Sequence, residues 1–119
     1  MTEKAKFLKK INDAFAKSDI EFILQNVTDD IRWTVHGDFS LQGKDDFTKA
    51  MEKMASDEPY ELNIENIITH GKSAAVNGIM KMPGNDKTYA FCDIYHFNGF
   101  KNPKIKEMIT YVLEQKEDK

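Results

Sequence analysis

Cysteine occurs once in this chain, at Cys92, so no intrachain disulfide can form and nothing points to an oxidising compartment. Arginine also occurs once, at Arg32, and 17 basic residues face 20 acidic ones, for a formal net charge of −3. That balance argues against nucleic acid as the main partner, because phosphate binding needs a concentrated basic face. Lys101, Lys104 and Lys106 read more simply as a solvated edge. No apolar run approaches the roughly 20 residues of a membrane helix, and Met1 to Lys6 leads into no signal-type apolar stretch. A cytoplasmic chain with no membrane partner is expected. Three scattered histidines lack metal-ligand spacing, and there is neither a glycine-rich phosphate loop nor a nucleophile elbow, so no metal and no cofactor is expected.

What remains is a single domain over residues 1–119, long enough to bury one core and ending in a charged tail at 114–119 that is expected to fray. Phe7, Leu8, Ile11, Ala14 and Phe15 recur at helical spacing. Ser18 followed by Glu21 reads as a capping box for a second, shorter helix carrying Ile20, Ile23, Leu24 and Val27. From Asp30 the period changes: Ile31, Trp33 and Val35 alternate against Arg32, Thr34 and His36, which predicts a strand. Residues 37–43, between two glycines, read as a loop, and Phe47, Ala50, Met51 and Met54 predict a third helix that ends before Pro59.

Four long strands follow at residues 60–70, 73–82, 88–98 and 104–114, joined by turns at 70–72, 83–86 and 98–103. Short connections imply antiparallel neighbours. The order predicts an α+β fold in which three N-terminal helices cover a curved antiparallel sheet around a central pocket.

The carriers of a family resemblance are now in view: Ala16-Lys17-Ser18-Asp19 between the first helices, Thr28-Asp29-Asp30-Ile31-Arg32-Trp33 entering the first strand, the 37–43 loop, and Phe91-Cys92-Asp93-Ile94-Tyr95-His96-Phe97-Asn98. In that order and spacing the chain resembles the nuclear-transport-factor-2-like superfamily, and within it the SnoaL-like group of polyketide cyclases and ketosteroid isomerases. The resemblance implies a cone-shaped fold. It also places Asp93 on the isomerases' protonated, oxyanion-binding aspartate. Two further roles do not carry over. The isomerases' first-helix tyrosine falls on Ile11, and their general-base aspartate falls on Val35, or on Thr34 or His36 with a different gap. A typical steroid isomerase is therefore not expected.

Asp93 shares a strand face with Phe91, Tyr95 and Phe97, so it is either an acid facing an apolar pocket or a structurally paired carboxylate. His36 is the candidate base, provided the following loop turns it inward; strict alternation from Trp33 puts it on the other face. Phe15, Trp33, Val35, Phe47, Met51, Met54, Asn77, Phe91, Tyr95, Met108 and Thr110 are expected to line the pocket, although such stripes also fill cores. Ile105, Ile109, Tyr111 and Leu113 fall on the opposite face of the last strand and are expected to form a homodimer interface. The expected ligand is an apolar, carbonyl-containing small molecule. It would be processed by cofactor-free acid–base isomerisation, cyclisation or hydrolysis, or else simply bound by a non-catalytic ligand-binding or dimerisation module.

Overall fold

Thr2 starts the first helix by accepting a hydrogen bond from the Ala5 amide at 3.1 Å, and α1 (Glu3–Lys17) buries Leu8, Ile11 and Ala14 on one side. Ser18 is not the cap of the second helix. It closes α1 in the left-handed region, at φ 58°, and its backbone amide returns to Phe15. Asp19 is the cap of α2 (Ile20–Gln25), because its carboxylate reaches the Phe22 amide at 3.2 Å. Both residues suit a cap, but only one can occupy the bend. Val27 then belongs to the sheet: β1 spans Val27–Val35.

The predicted loop at 37–43 contains a strand. Gly37, at φ +81°, turns the chain back so that β2 (Phe39–Gln42) pairs antiparallel with β1. Four alternating residues are too few to stand out between two glycines. Next come α3 (Lys44–Met54), β3 (Glu61–His70), β4 (Ser73–Lys81), β5 (Thr88–Phe97) and β6 (Ile105–Glu114). The computed structural model describes residues 1–84 and 86–116; Asn85 of the 83–86 turn and residues 117–119 of the tail lie outside the described residues. Glu114 is still in β6, and Gln115 donates to the Thr88 carbonyl at 2.7 Å.

The strands form one unclosed, curved sheet in the order β2-β1-β6-β5-β4-β3. Every pair is antiparallel except β1 and β6, which run parallel because the chain returns to β1 only after the whole meander. The fold is α+β, as expected. Helix α1 rests on β3 near one edge, α3 rests on β1 and β2 at the other, and α2 joins them. The inward faces of the middle strands are thereby left facing a space between the helices.

Bulges give the sheet its curl. On β3, Ile64 pairs with Gly78 and Asn66 with Asn77, so Glu65 is an extra residue. A Cβ on Gly78 would lie 2.2 Å from the Asn63 carbonyl oxygen, and the strands can approach this closely only because Gly78 has none. A second bulge at Lys106 separates the Phe97–Ile105 pair from the His96–Glu107 pair and reverses the parity of β6. Ile105 therefore points into the core and is fully buried, not on the outer face with Ile109, Tyr111 and Leu113. Replacing Gly78 with Ala must push two backbones apart. Gly78→Ala is expected to cost about 1–3 kcal/mol in urea denaturation, and an unchanged midpoint would show that the strands have room to separate.

Candidate functional site

Alternation along the middle strands decides which side chains face the helices. On β5 these are Phe91, Asp93, Tyr95 and Phe97, and on β6 they are Met108, Thr110 and Val112. Asp93 and Thr110 are direct cross-strand partners, which brings the Thr110 hydroxyl to 2.7 Å from Asp93 Oδ1 as a donor. Trp33 on β1 donates its indole N–H to the same threonine oxygen at 2.9 Å, leaving the threonine's own proton for Asp93. The Tyr95 hydroxyl donates to Asp93 Oδ2 at 3.4 Å and accepts from Asn12 Nδ2 at 3.3 Å.

These groups border an apolar cavity of about 130 Å³ between the sheet and all three helices. Its walls are Phe15, Trp33, Met51, Met54, Phe91, Met108 and Thr110 of the expected set, together with Asn12, Ile20, Ile23, Tyr60, Leu62, Met80 and Val112. Two backbone contacts hold the helical end in place: the Tyr60 amide donates to the Ala16 carbonyl at 2.8 Å, and the Ser56 amide donates to Ser18 Oγ at 3.0 Å.

Four of the expected lining residues are placed elsewhere. Phe47 and Tyr95 are fully buried behind the wall, the latter reaching the site only through its hydroxyl. Val35 packs against the core outside the cavity. Asn77 faces the other way. It pairs with Cys92 and accepts a hydrogen bond from Asn66 at 2.9 Å on the outer face, because Ala74, Val76 and Gly78 are the inward residues of β4. With small residues on both faces of that segment, hydrophobicity alone could not set its parity.

His36 is also on the outside. Its ring is exposed and stacks on Tyr111 with centroids 4.8 Å apart, so it does not meet Asp93 across the cavity. The loop does not turn it inward; β1 keeps strict alternation to its end, and the His36 amide donates to the Thr110 carbonyl at 3.1 Å. The two-residue acid–base pair is not assembled.

Asn12 is the site residue that sequence reasoning missed. It lies one helical turn beyond Leu8 on the buried side of α1 and is only 3% exposed. A polar residue at the i+4 position of an apolar stripe was the available signal.

Burial lifts the Asp93 carboxyl from its ordinary 3.8 to about 6, against the opposing effect of the hydrogen bonds from Thr110 and Tyr95. Burial, and then the neighbouring Asp93 charge, push the Tyr95 hydroxyl well above its usual range, so it remains a donor. The same two causes raise the Cys92 thiol and keep it from acting as a thiolate. Asp93 can therefore exchange a proton near neutrality beside apolar walls.

Residues 8–108 match the SnoaL-like domain family. The chain belongs to that family. No curated protein matches it. Among solved structures, this SnoaL-like chain is similar to an NTF2-like protein of unknown function from Cytophaga hutchinsonii, at 23% identity and TM-score 0.73, covering 95% of this chain and 100% of the other. It is also similar to a candidate SnoaL-like polyketide cyclase from Shewanella putrefaciens, at 15% identity and TM-score 0.81, covering 94% and 80%. A LEH-like epoxide hydrolase from M. tuberculosis aligns at 14% identity and TM-score 0.68, over 84% and 74%. At these identities the likeness is one of fold.

A carboxyl that binds its proton more tightly folded than unfolded stabilises the fold fully below about pH 3.8 and loses that contribution as pH rises through about 6. Asp93→Asn carries no charge at any pH. Its stability relative to the unsubstituted protein is expected to rise by about 2 kcal/mol between pH 4 and pH 8, as read from urea denaturation at both. A pH-independent difference would mean that the carboxylate is not desolvated.

Proposed function

We propose that this SnoaL-like domain binds an apolar, carbonyl-containing small molecule in its cone, with Asp93 as the acid that engages the carbonyl. The observation that carries this reading is the direction of the hydrogen bonds. Thr110 and Tyr95 both donate to Asp93, so when the carboxyl is protonated its own proton is left for an acceptor in the cavity. Aromatic and methionine walls suit a ligand whose remainder is hydrocarbon. The solved relatives named as a polyketide cyclase and an epoxide hydrolase support small-molecule chemistry as the background.

With His36 outside, the chemistry this site supports is that of one carboxyl: polarising a carbonyl and exchanging a single proton with it. Tyr60, the other titratable residue on the wall, donates its hydroxyl proton to the Met54 carbonyl at 3.0 Å. A binding role with carbonyl polarisation fits this arrangement better than two-base isomerisation. The lone, half-buried Cys92 fits a cytoplasmic setting.

Acetophenone and ethylbenzene differ mainly in the carbonyl oxygen, and binding of either can be followed by calorimetry or by the fluorescence of Trp33, the sole tryptophan. Acetophenone is expected to bind the more tightly at pH 5 and to lose affinity by about tenfold per pH unit above 6. The pH dependence should vanish in Asp93→Asn. Equal binding of the two compounds at every pH would remove Asp93 from the reading.

The outer sheet face supports a second part of the proposal, a homodimer. Ile68, Tyr111 and Leu113 are 64%, 44% and 69% exposed there, beside a groove of about 350 Å³. An antiparallel sheet face turned to water normally alternates toward polar side chains, and this one does not. The double variant Tyr111→Lys, Leu113→Lys is expected to sediment as a monomer while the unsubstituted chain sediments as a dimer. A dimer that survives the substitutions would assign pairing to another surface.

A further inference from the structure

The amide of Asn12 is fixed in orientation by its own partners. Its nitrogen donates to the Leu8 carbonyl at 2.9 Å and to the Tyr95 hydroxyl at 3.3 Å. A carbonyl oxygen can only accept, so the nitrogen must be on that side, and both of its protons are used. The oxygen, Oδ1, is then left with no hydrogen-bond partner among the described residues, and Asn12 is one of the residues lining the cavity. The residue is 3% exposed, but among the described residues the sealed side-chain atom without a partner is Thr28 Oγ1, so Asn12 Oδ1 stands open to a donor in the cavity.

Asn12 and Asp93 address one point. The Asn12 nitrogen and Asp93 Oδ2 lie 3.3 and 3.4 Å from the same tyrosine oxygen, so the amide and the carboxyl are held on neighbouring parts of the cavity wall. A simple ketone can answer only the carboxyl and leaves Asn12 Oδ1 unpaired. Among the residues lining the cavity there is no lysine, arginine or histidine, so an anionic head would find no opposite charge.

We propose that the ligand's polar head is neutral and carries a hydrogen-bond donor next to its carbonyl, as in a primary carboxamide or an α-hydroxy ketone, with Asn12 Oδ1 as the acceptor that selects for the donor. This rests on the reading of the cone as a ligand site and narrows the class it takes. A carboxamide satisfies both groups at once: its carbonyl accepts from the Asp93 carboxyl while one N–H is given to Asn12. Asn12 is then a specificity residue. Its burial reflects the ligand head it recognises as well as the tyrosine it positions.

Benzamide and acetophenone have almost the same shape, with NH2 in one where the other has CH3, so their ratio isolates the donor. At pH 5, calorimetric titration of the unsubstituted protein is expected to show benzamide binding about three- to tenfold more tightly than acetophenone. In Asn12→Leu, which keeps the branching and number of side-chain atoms and removes the acceptor, the preference should reverse, because the N–H would be buried without a partner. If that variant fails to fold, benzoate against benzamide on the unsubstituted protein remains decisive, since the acid anion should not bind at pH 7. Acetophenone binding as tightly as benzamide, a benzamide preference that persists in Asn12→Leu, or benzoate matching benzamide at pH 7 would each overturn the proposal while leaving the ligand site standing. No binding of any of these compounds would overturn the ligand site itself.

Discussion

A carboxyl held against an apolar cavity by its cross-strand neighbour is the constraint around which this molecule is arranged. Asp93 faces Thr110 because β5 and β6 are paired in that register, and Trp33 joins them because β1 lies beside β6. A slip of β5 by one residue would turn Asp93 to the outer face and replace it with Cys92 or Ile94, and a slip of β1 would turn Trp33 away in the same manner. The polar chain from Trp33 through Thr110 and Asp93 to Tyr95 and Asn12 thus ties three strands to α1 through groups that cannot be left unpaired in the interior.

The cavity itself follows from the way curvature and helix placement combine. Bulges at Glu65 on the edge strand β3 and at Lys106 on the middle strand β6 bend the sheet, and Gly78 permits the close approach of β4 to β3 beside the first of them. The helices rest on the sheet's two edges, so the middle strands are covered at a distance. Side chains from both sides fill most of that space, with methionines and aromatics around what is left. A fold built in this way has an interior site as a geometric consequence, and its chemistry is set by the few polar residues that point inward.

The β6 strand makes two uses of its parity. Met108, Thr110 and Val112 face the cavity, while Ile109, Tyr111 and Leu113 face outward, with His36 stacked on Tyr111. The bulge at Lys106 separates this regular stretch from Ile105, which completes the core next to Phe97 and Val27. Inner site and outer face therefore share a backbone, and a change in the twist of β6 would be felt on both sides.

From the residues alone the type of every element except β2, the positions of three of the four strand-to-strand turns and the inward face of β5 were legible, because helical or alternating periods repeat along these segments. The sequence also made Asp93 legible as a lone carboxyl on an aromatic face. Tertiary structure alone decided the rest, each time for a physical reason local patterns do not carry. The four-residue β2 is a strand only because β1 is there to pair with it, and Ile105 is inward only because of a bulge. Asn77 faces out because its neighbours' small side chains leave parity to the pairing, and His36 stays outside because the turn after β1 ends the strand without reversing it. Asn12 joins the site because α1, packed on β3, carries its side chain within reach of Tyr95, bringing together residues 83 positions apart whose hydrogen bond no spacing in the chain could announce.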